Sequence, residues 1–261
     1  MLVYTGSSKC LSIKSLGETC LIFKKSKTSF VPLPTLPLPE SKILIFGILF
    51  IPKIIDRVKN ETIVQDGRSK SGEPLQYITL NGEAKSVPEF TFLNQDSLFI
   101  SNEDFKGKVY VAEFFFTSCP SICPIMNKNM KKIETQFGSR SDFGIASFTI
   151  DPKHDTPSVL KEYAEDYDVF SQNWHFLTGD KEAIYTLANQ GFNIFASVNP
   201  RVEGGFEHQG YFALIDKDGY IRSRSDQFDN PIVYYMGIDQ ENLEVQEVDL
   251  LIEDIEKLLK E

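Results

Sequence analysis

Val109-Tyr-Val-Ala-Glu-Phe-Phe-Phe116 is a nearly continuous apolar run, and it leads directly into Thr117-Ser-Cys119-Pro-Ser-Ile-Cys123-Pro124. Such a run reads as a strand buried on both faces, at the centre of a sheet. Beyond it, Ile125, Met126, Met130 and Ile133 recur among Asn and Lys residues at helical spacing, as far as Phe137. The two cysteines therefore fall where a central strand gives way to a helix. Helix N-termini carry unpaired N–H groups and partial positive charge, which favour a thiolate over a thiol. Cysteines four apart share one helical face, so both sulfurs can point at a single atom.

Upstream, Tyr77–Leu80 and Phe90–Leu93 read as short alternating strands, with Asn81-Gly82 as a turn signal between them. Downstream, Phe143–Ile150 is another apolar strand, ending at Asp151-Pro152. Asp155-Thr-Pro-Ser158 opens a helix with proline in its first turn, running to about Tyr167. A further helix spans about Lys181 to Gln190. Tyr211–Ile215, Asp216–Gly219 and Tyr220–Arg222 follow as strand, tight turn and strand, and Glu247–Leu259 closes the chain as an amphipathic helix. No internal repeat is visible. This order predicts an α/β, thioredoxin-like domain over residues 61–261, a central mixed sheet flanked by helices with an N-terminal β extension. Phe occurs 21 times, so aromatic packing is expected to dominate its core.

Residues 1–60 differ in character. They hold nine Lys/Arg against three acids, a net +6, so with a total of −10 the rest of the chain carries −16. An acidic body of that kind excludes nucleic acid as a partner, because phosphate binding needs clustered Lys/Arg. The prolines of Val31–Pro39 favour an extended segment. The apolar run Ile43–Ile51, broken by Pro52-Lys53 and resumed by Ile54-Ile55, is expected to be a membrane anchor or signal segment. At ~1.5 Å per residue, residues 43–55 reach only about 20 Å, short of a ~30 Å hydrocarbon core. The competing reading is an apolar segment that does not insert. If it did insert, Lys24, Lys25, Lys27 and Lys42 would hold the N-terminus in the cytoplasm.

Four cysteines are too few for a disulfide-built scaffold, and Cys10 and Cys20 lie in the tail. The Cys119–Cys123 pair departs from the Cys-x-x-Cys spacing of redox enzymes, and the extra residue permits convergence on an ion. Two soft thiolates are the ligands copper(I) prefers. The bland alternative is an inert buried pair. A third donor must come from three histidines. His154 reads as a solvated loop residue, and His175 beside Trp174 as a packing residue. His208 precedes the Tyr211–Ile215 strand, whose approach faces the cysteine turn in a thioredoxin-like sheet. It is the candidate to complete a set of two cysteines and one histidine. No proline lies between Pro200 and Pro231, where thioredoxin-type enzymes place a cis-proline, so disulfide docking of that type is not expected.

Phe114-Phe-Phe-Thr-Ser-Cys-Pro-Ser-Ile-Cys-Pro124 resembles the strand and T-x-C-P-x-x-C-P motif of the Sco/SenC proteins, copper-binding factors for cytochrome c oxidase assembly. Ser147–Pro157 is similar to that family's S-I-D-P-x-x-D-T-P segment, Trp174–Gly179 to its L-T-G stretch, and Glu207-His208 to its D-H ahead of the Asp218-Gly219 turn. The resemblance covers roughly residues 85–225. It implies a copper ion, Cu(I) or Cu(II), held by Cys119, Cys123 and His208. It also implies a membrane-anchored domain on the extracytoplasmic side of the cell envelope. The implied partner is the copper-bearing oxidase subunit or another copper chaperone. Asp151 and Asp155 would shape the loop beside the site or a docking surface, or serve only as turn and cap acids. Glu207 stands where the family usually has Asp, and residues 226–246 are longer than the family's compact ending. Two functions stay open: a copper metallochaperone, or a thiol-disulfide reductase in which Cys119 and Cys123 keep oxidase cysteines reduced. A glutathione-peroxidase type would bring Gln and Trp partners, and Trp174 is the sole tryptophan.

Overall fold

Seven consecutive residues, Val109–Phe115, are buried without exception and form the middle strand of a mixed sheet. The structure, a computed structural model, describes residues 74–80, 82–226, 228–241 and 244–261. The apolar run at 43–55 lies outside the described residues; among those described, no helix is long and apolar enough to cross a membrane. In chain order the elements are β1 (Gln76–Tyr77), β2 (Thr79–Leu80), β3 (Glu83–Ala84), β4 (Thr91–Leu93), β5 (Phe99–Ser101), α1 (Asn102–Phe105) and β6 (Val109–Phe115). They continue with α2 (Cys123–Phe137), β7 (Phe143–Thr149), α3 (Pro157–Asp166), β8 (Trp174–Leu177) and α4 (Lys181–Thr186), which runs on as a π-turn over Leu187–Phe192. The last are β9 (Ala196–Val198), β10 (Phe206–His208), β11 (Tyr211–Ile215), β12 (Ile221–Ser223), β13 (Tyr235–Met236) and α5 (Glu247–Lys260).

The main sheet has the order β1-β12-β11-β6-β7-β8, with β13 beside β11. β6, β7 and β8 run parallel, which obliges each connection to cross over, and α2 and α3 are those crossovers. β11 lies antiparallel on the other side of β6, with Ala213 opposite Ala112. This is the thioredoxin-like arrangement expected from the element order. The core is aromatic, as the phenylalanine content predicts: Phe114 stacks on Phe148 at 5.3 Å and meets Phe192 edge-on at 5.6 Å, while Phe90 meets Phe148 edge-on at 5.2 Å.

Asn81-Gly82 does not join the strands predicted on either side of it. Gly82 (φ +86°) turns Thr79–Leu80 back onto Glu83–Ala84, and Thr91–Leu93 pairs instead with Phe99–Ser101. That second hairpin covers the open edge of β8. Leu93 and Thr178 exchange backbone hydrogen bonds, while the Gln95 amide donates to the Trp174 carbonyl (3.0 Å) and accepts from the Phe176 N–H (2.9 Å). One side chain thus substitutes for a missing strand, as edge protection requires. Gln95→Ala is expected to cost about 1–2 kcal/mol by leaving both β8 groups without that partner. Urea unfolding measures it, and an unshifted midpoint would show that water serves the edge equally well.

Among the described residues of 226–246, Tyr235–Met236 form β13 ahead of α5. Tyr235 is wholly buried, with its hydroxyl donating to Asp254 (2.7 Å), and the Tyr234 hydroxyl donates to the Phe192 carbonyl. The Tyr234-Tyr235-Met236 run therefore serves local packing.

Candidate metal centre

The end of β6 delivers the chain into a turn whose base is held by a buried carboxylate. Asp155, fully buried ahead of α3, accepts from the Thr117 N–H (3.1 Å), the Thr117 hydroxyl (2.5 Å) and the Thr149 hydroxyl. His154 Nδ1 lies 2.9 Å from the same carboxylate, which raises the imidazole pKa while the side chain stays exposed. Asp155 therefore does shape the cysteine loop, by tethering its first residue. Asp151 acts through its backbone, its carbonyl accepting from the N–H groups of His154 and Asp155.

Cys123 is the first residue of α2, with Pro124 next, where a missing N–H costs nothing. Cys119 sits in the turn before it; both sulfurs are free, Cys123 almost fully buried and Cys119 at 8% exposure. His208 ends β10, on a two-stranded hairpin outside the main sheet. The hairpin rests on the cysteine turn. The Phe116 ring meets Phe206 at 5.2 Å and the His208 ring edge-on at 5.9 Å. Gly204 (φ +83°) comes so close that a Cβ there would stand 3.0 Å from Phe116 and 3.2 Å from Pro120. As a result, donor atoms of Cys119, Cys123 and His208 all lie within 4.8 Å of one another, with Cys123 Sγ and His208 Nε2 3.3 Å apart.

The protonation pattern suits a cation. His208 Nδ1 faces the Gln209 carbonyl at 3.3 Å. A carbonyl can only accept, so that contact puts the ring proton on Nδ1 and leaves the Nε2 lone pair toward the sulfurs. The Cys123 thiol donates to Cys119. That bond, with the N–H groups of Ser121 and Cys123, holds Cys119 far below the ordinary thiol range against the opposing effect of burial. The same contact, burial and the nearby Cys119 charge push Cys123 up. One proton thus serves three converging lone-pair donors. An ion ~2.0–2.3 Å from each ligand needs donors roughly 3.5–4 Å apart, close to the observed set. Two sulfurs and one imidazole nitrogen make a soft donor set. The residues fit a soft cation.

The other two histidines stay apart from this cluster. His175 packs edge-on against Phe105 at 5.8 Å, and His154 belongs to the Asp155 network. Sequence reasoning missed the hairpin under His208, although Asn199-Pro200 and Gly204-Gly205 between two alternating triplets signal one. It also passed over Glu113. This residue is wholly buried on β6, with Oε1 accepting from Ser147 Oγ (2.7 Å) and Oε2 unpartnered. Burial pushes its pKa up to about 7, against the lowering effect of the Ser147 bond. An unfolded glutamate loses its proton near ~4.3. The native state therefore binds an extra proton between those values, and stability falls as pH rises through that window. Glu113→Gln is expected to remove this slope, shrinking the difference between about pH 5 and about pH 8 by roughly 2–3 kcal/mol. Urea midpoints at both pH values check it, and an unaltered slope would count against it.

A thioredoxin-like domain bearing two cysteines at the strand-to-helix turn and a histidine on a facing hairpin defines the class of protein. Residues 79–241 match the SCO1/SenC family. The SCO1 protein homolog of Bacillus subtilis is 35% identical over 157 residues, covering 59% of this chain and 77% of that protein. Among solved structures, BsSco, described with a disulfide switch and as a member of the Sco family of cytochrome c oxidase assembly proteins, is 32% identical. Its TM-score is 0.55, over 72% of this chain and 96% of that one. A SCO1/SenC family lipoprotein from Bacillus anthracis is 30% identical with TM-score 0.56, over 67% and 95% of the two chains. The chain belongs to the SCO1/SenC family.

Proposed function

We propose that this protein is a copper metallochaperone for assembly of the copper centre of cytochrome c oxidase, with Cys119, Cys123 and His208 as the copper ligands. The observation that carries the reading is the convergence of three soft donors from distant parts of the chain within 4.8 Å. Copper is cargo here. Cys119 is the more accessible sulfur, so an incoming partner thiolate can displace one ligand at a time without releasing a free ion. Family membership supports the oxidase as destination, through its copper-bearing subunit or another copper chaperone. The lipoprotein relative supports the cell envelope, with the domain on the extracytoplasmic side and residues 43–55 as membrane anchor or signal segment. Titration of the reduced protein with copper(I) against a chromophoric chelator should give one tightly held equivalent. Failure to retain any would sink the proposal.

A second reading, thiol-disulfide reductase, is favoured by the asymmetry of the pair: a low-pKa Cys119, the less deeply buried of the two, beside a Cys123 whose pKa is pushed up. That is how an attacking and a resolving thiol are arranged. Two-electron turnover of a model disulfide by copper-free protein distinguishes it from a carrier that only exchanges metal.

A further inference from the structure

The wall beside Cys119 is a cleft of ≈ 290 Å³ between the cysteine turn and the β9–β10 hairpin. Phe116, Ile122, Val202 and Phe206 give it an apolar lining, and Glu203 and Glu207 supply its carboxylates. Among the described residues, no cation pairs with either glutamate. Apolar surface continues outward from the cleft: exposed Val198 lies opposite Phe206 in the hairpin register, and exposed Ile125 follows Ile122 by one helical turn. The close seat of Gly204 on Phe116 and Pro120 means the cleft is formed before anything enters it. Small anionic thiols are poorly matched to such a groove on a body carrying −16. An apolar side chain flanked by a cation fits it.

We propose that this cleft recognises an extended cysteine-bearing segment of the partner protein, with a large apolar residue beside its cysteine and Lys or Arg beyond. The inference rests on the reading that the Cys119–Cys123 pair acts on partner thiols, whether by passing copper or electrons. Phe206 and Val202 would select the apolar side chain, and Glu203 the cation. Burial of one apolar side chain and pairing of one rim charge are together worth roughly tenfold in discrimination.

The test uses the full chain, reduced and metal-free, with Cys10 and Cys20 changed to serine so that only this pair reacts. Its probes are two synthetic peptides, Lys-Phe-Cys and Glu-Ser-Cys, each as the mixed disulfide with thionitrobenzoate. The Cys119 thiolate attacks the peptide sulfur, a Cys119–peptide disulfide forms, and thionitrobenzoate leaves as the coloured thiolate. Cys123 then attacks Cys119, closing the intramolecular disulfide and releasing the peptide thiol. The ratio of the two rates cancels changes in the intrinsic reactivity of Cys119. That ratio should be about tenfold in favour of Lys-Phe-Cys. It should fall toward unity in Phe206→Ser and Val202→Ser, and invert in Glu203→Lys. A ratio near unity in the parent, or one unmoved by Glu203→Lys, overturns the proposal. Copper(I) uptake is measured separately with the metal alone, so a featureless cleft leaves the carrier reading standing, and a failed copper titration leaves the peptide preference to be judged on its own.

Discussion

Cys123→Ser is expected to abolish tight copper(I) binding while leaving the fold intact. Structural metal sites with four ligands contribute about 10–16 kcal/mol in all, so one ligand is worth roughly 3–4 kcal/mol, or about 10²–10³-fold in affinity. A serine oxygen is a hard, neutral donor and cannot replace a thiolate toward copper(I). It can still donate a hydrogen bond to His208 Nε2, which lies 3.3 Å from the native sulfur, so the variant keeps a satisfied buried polar group. His208→Ala should cost less, about 10–100-fold, because two thiolates remain to hold the ion. Competition against a chromophoric chelator measures both losses, and circular dichroism checks the fold. Parent-like affinity in Cys123→Ser would remove this sulfur from the coordination sphere.

The central strand was legible because burial on both faces demands a composition that solvent-facing segments do not share: Val109–Phe115 contains a single charged residue, Glu113. The cysteine turn was legible for the same reason, since it begins where that run stops. His208 could be placed near the cysteines by topology, but not its support. β9 and β10 have three residues each and pair as strands only with one another, so their pattern is too short to stand out from loop sequence. Asp155 illustrates a different limit. As an acid ahead of Pro157 it reads equally well as a helix-capping or turn residue. Its tertiary role, tethering Thr117, depends on a partner thirty-eight positions away. The N-terminal hairpins were misjoined because turn signals mark where chains reverse and not which strands then pair. Pairing there was decided by the open edge of β8, a feature of the assembled sheet.

The largest stability effect is expected at Asp254→Ala, in the last helix. Arg224 is 2% exposed and donates through Nε to Asp254 (2.5 Å) and through Nη2 to the Leu250 carbonyl (2.9 Å), while its Nη1 has no partner. Asp254, fully buried, also accepts from the Tyr235 hydroxyl and from Lys257. Removing the carboxylate strands a guanidinium and a hydroxyl inside the protein. Glu253, itself 54% exposed, is the remaining acid at 3.2 Å. Breaking a buried pair by deleting one partner costs about 3–5 kcal/mol, a large part of a total near 5–15 kcal/mol. Replacing both, as Arg224→Met with Asp254→Leu, should recover most of it, because the desolvation of two charges is then no longer opposed to folding. Urea unfolding of both variants decides the matter, and a shift under about 1 kcal/mol in Asp254→Ala would mean that water reaches the pair. The same experiment couples to function. Tyr235 pairs with Phe212 on β11, the strand that follows His208. If α5 and the metal centre unfold as one unit, copper(I) at about 100 times its Kd should return about 2.7 kcal/mol to the weakened chain.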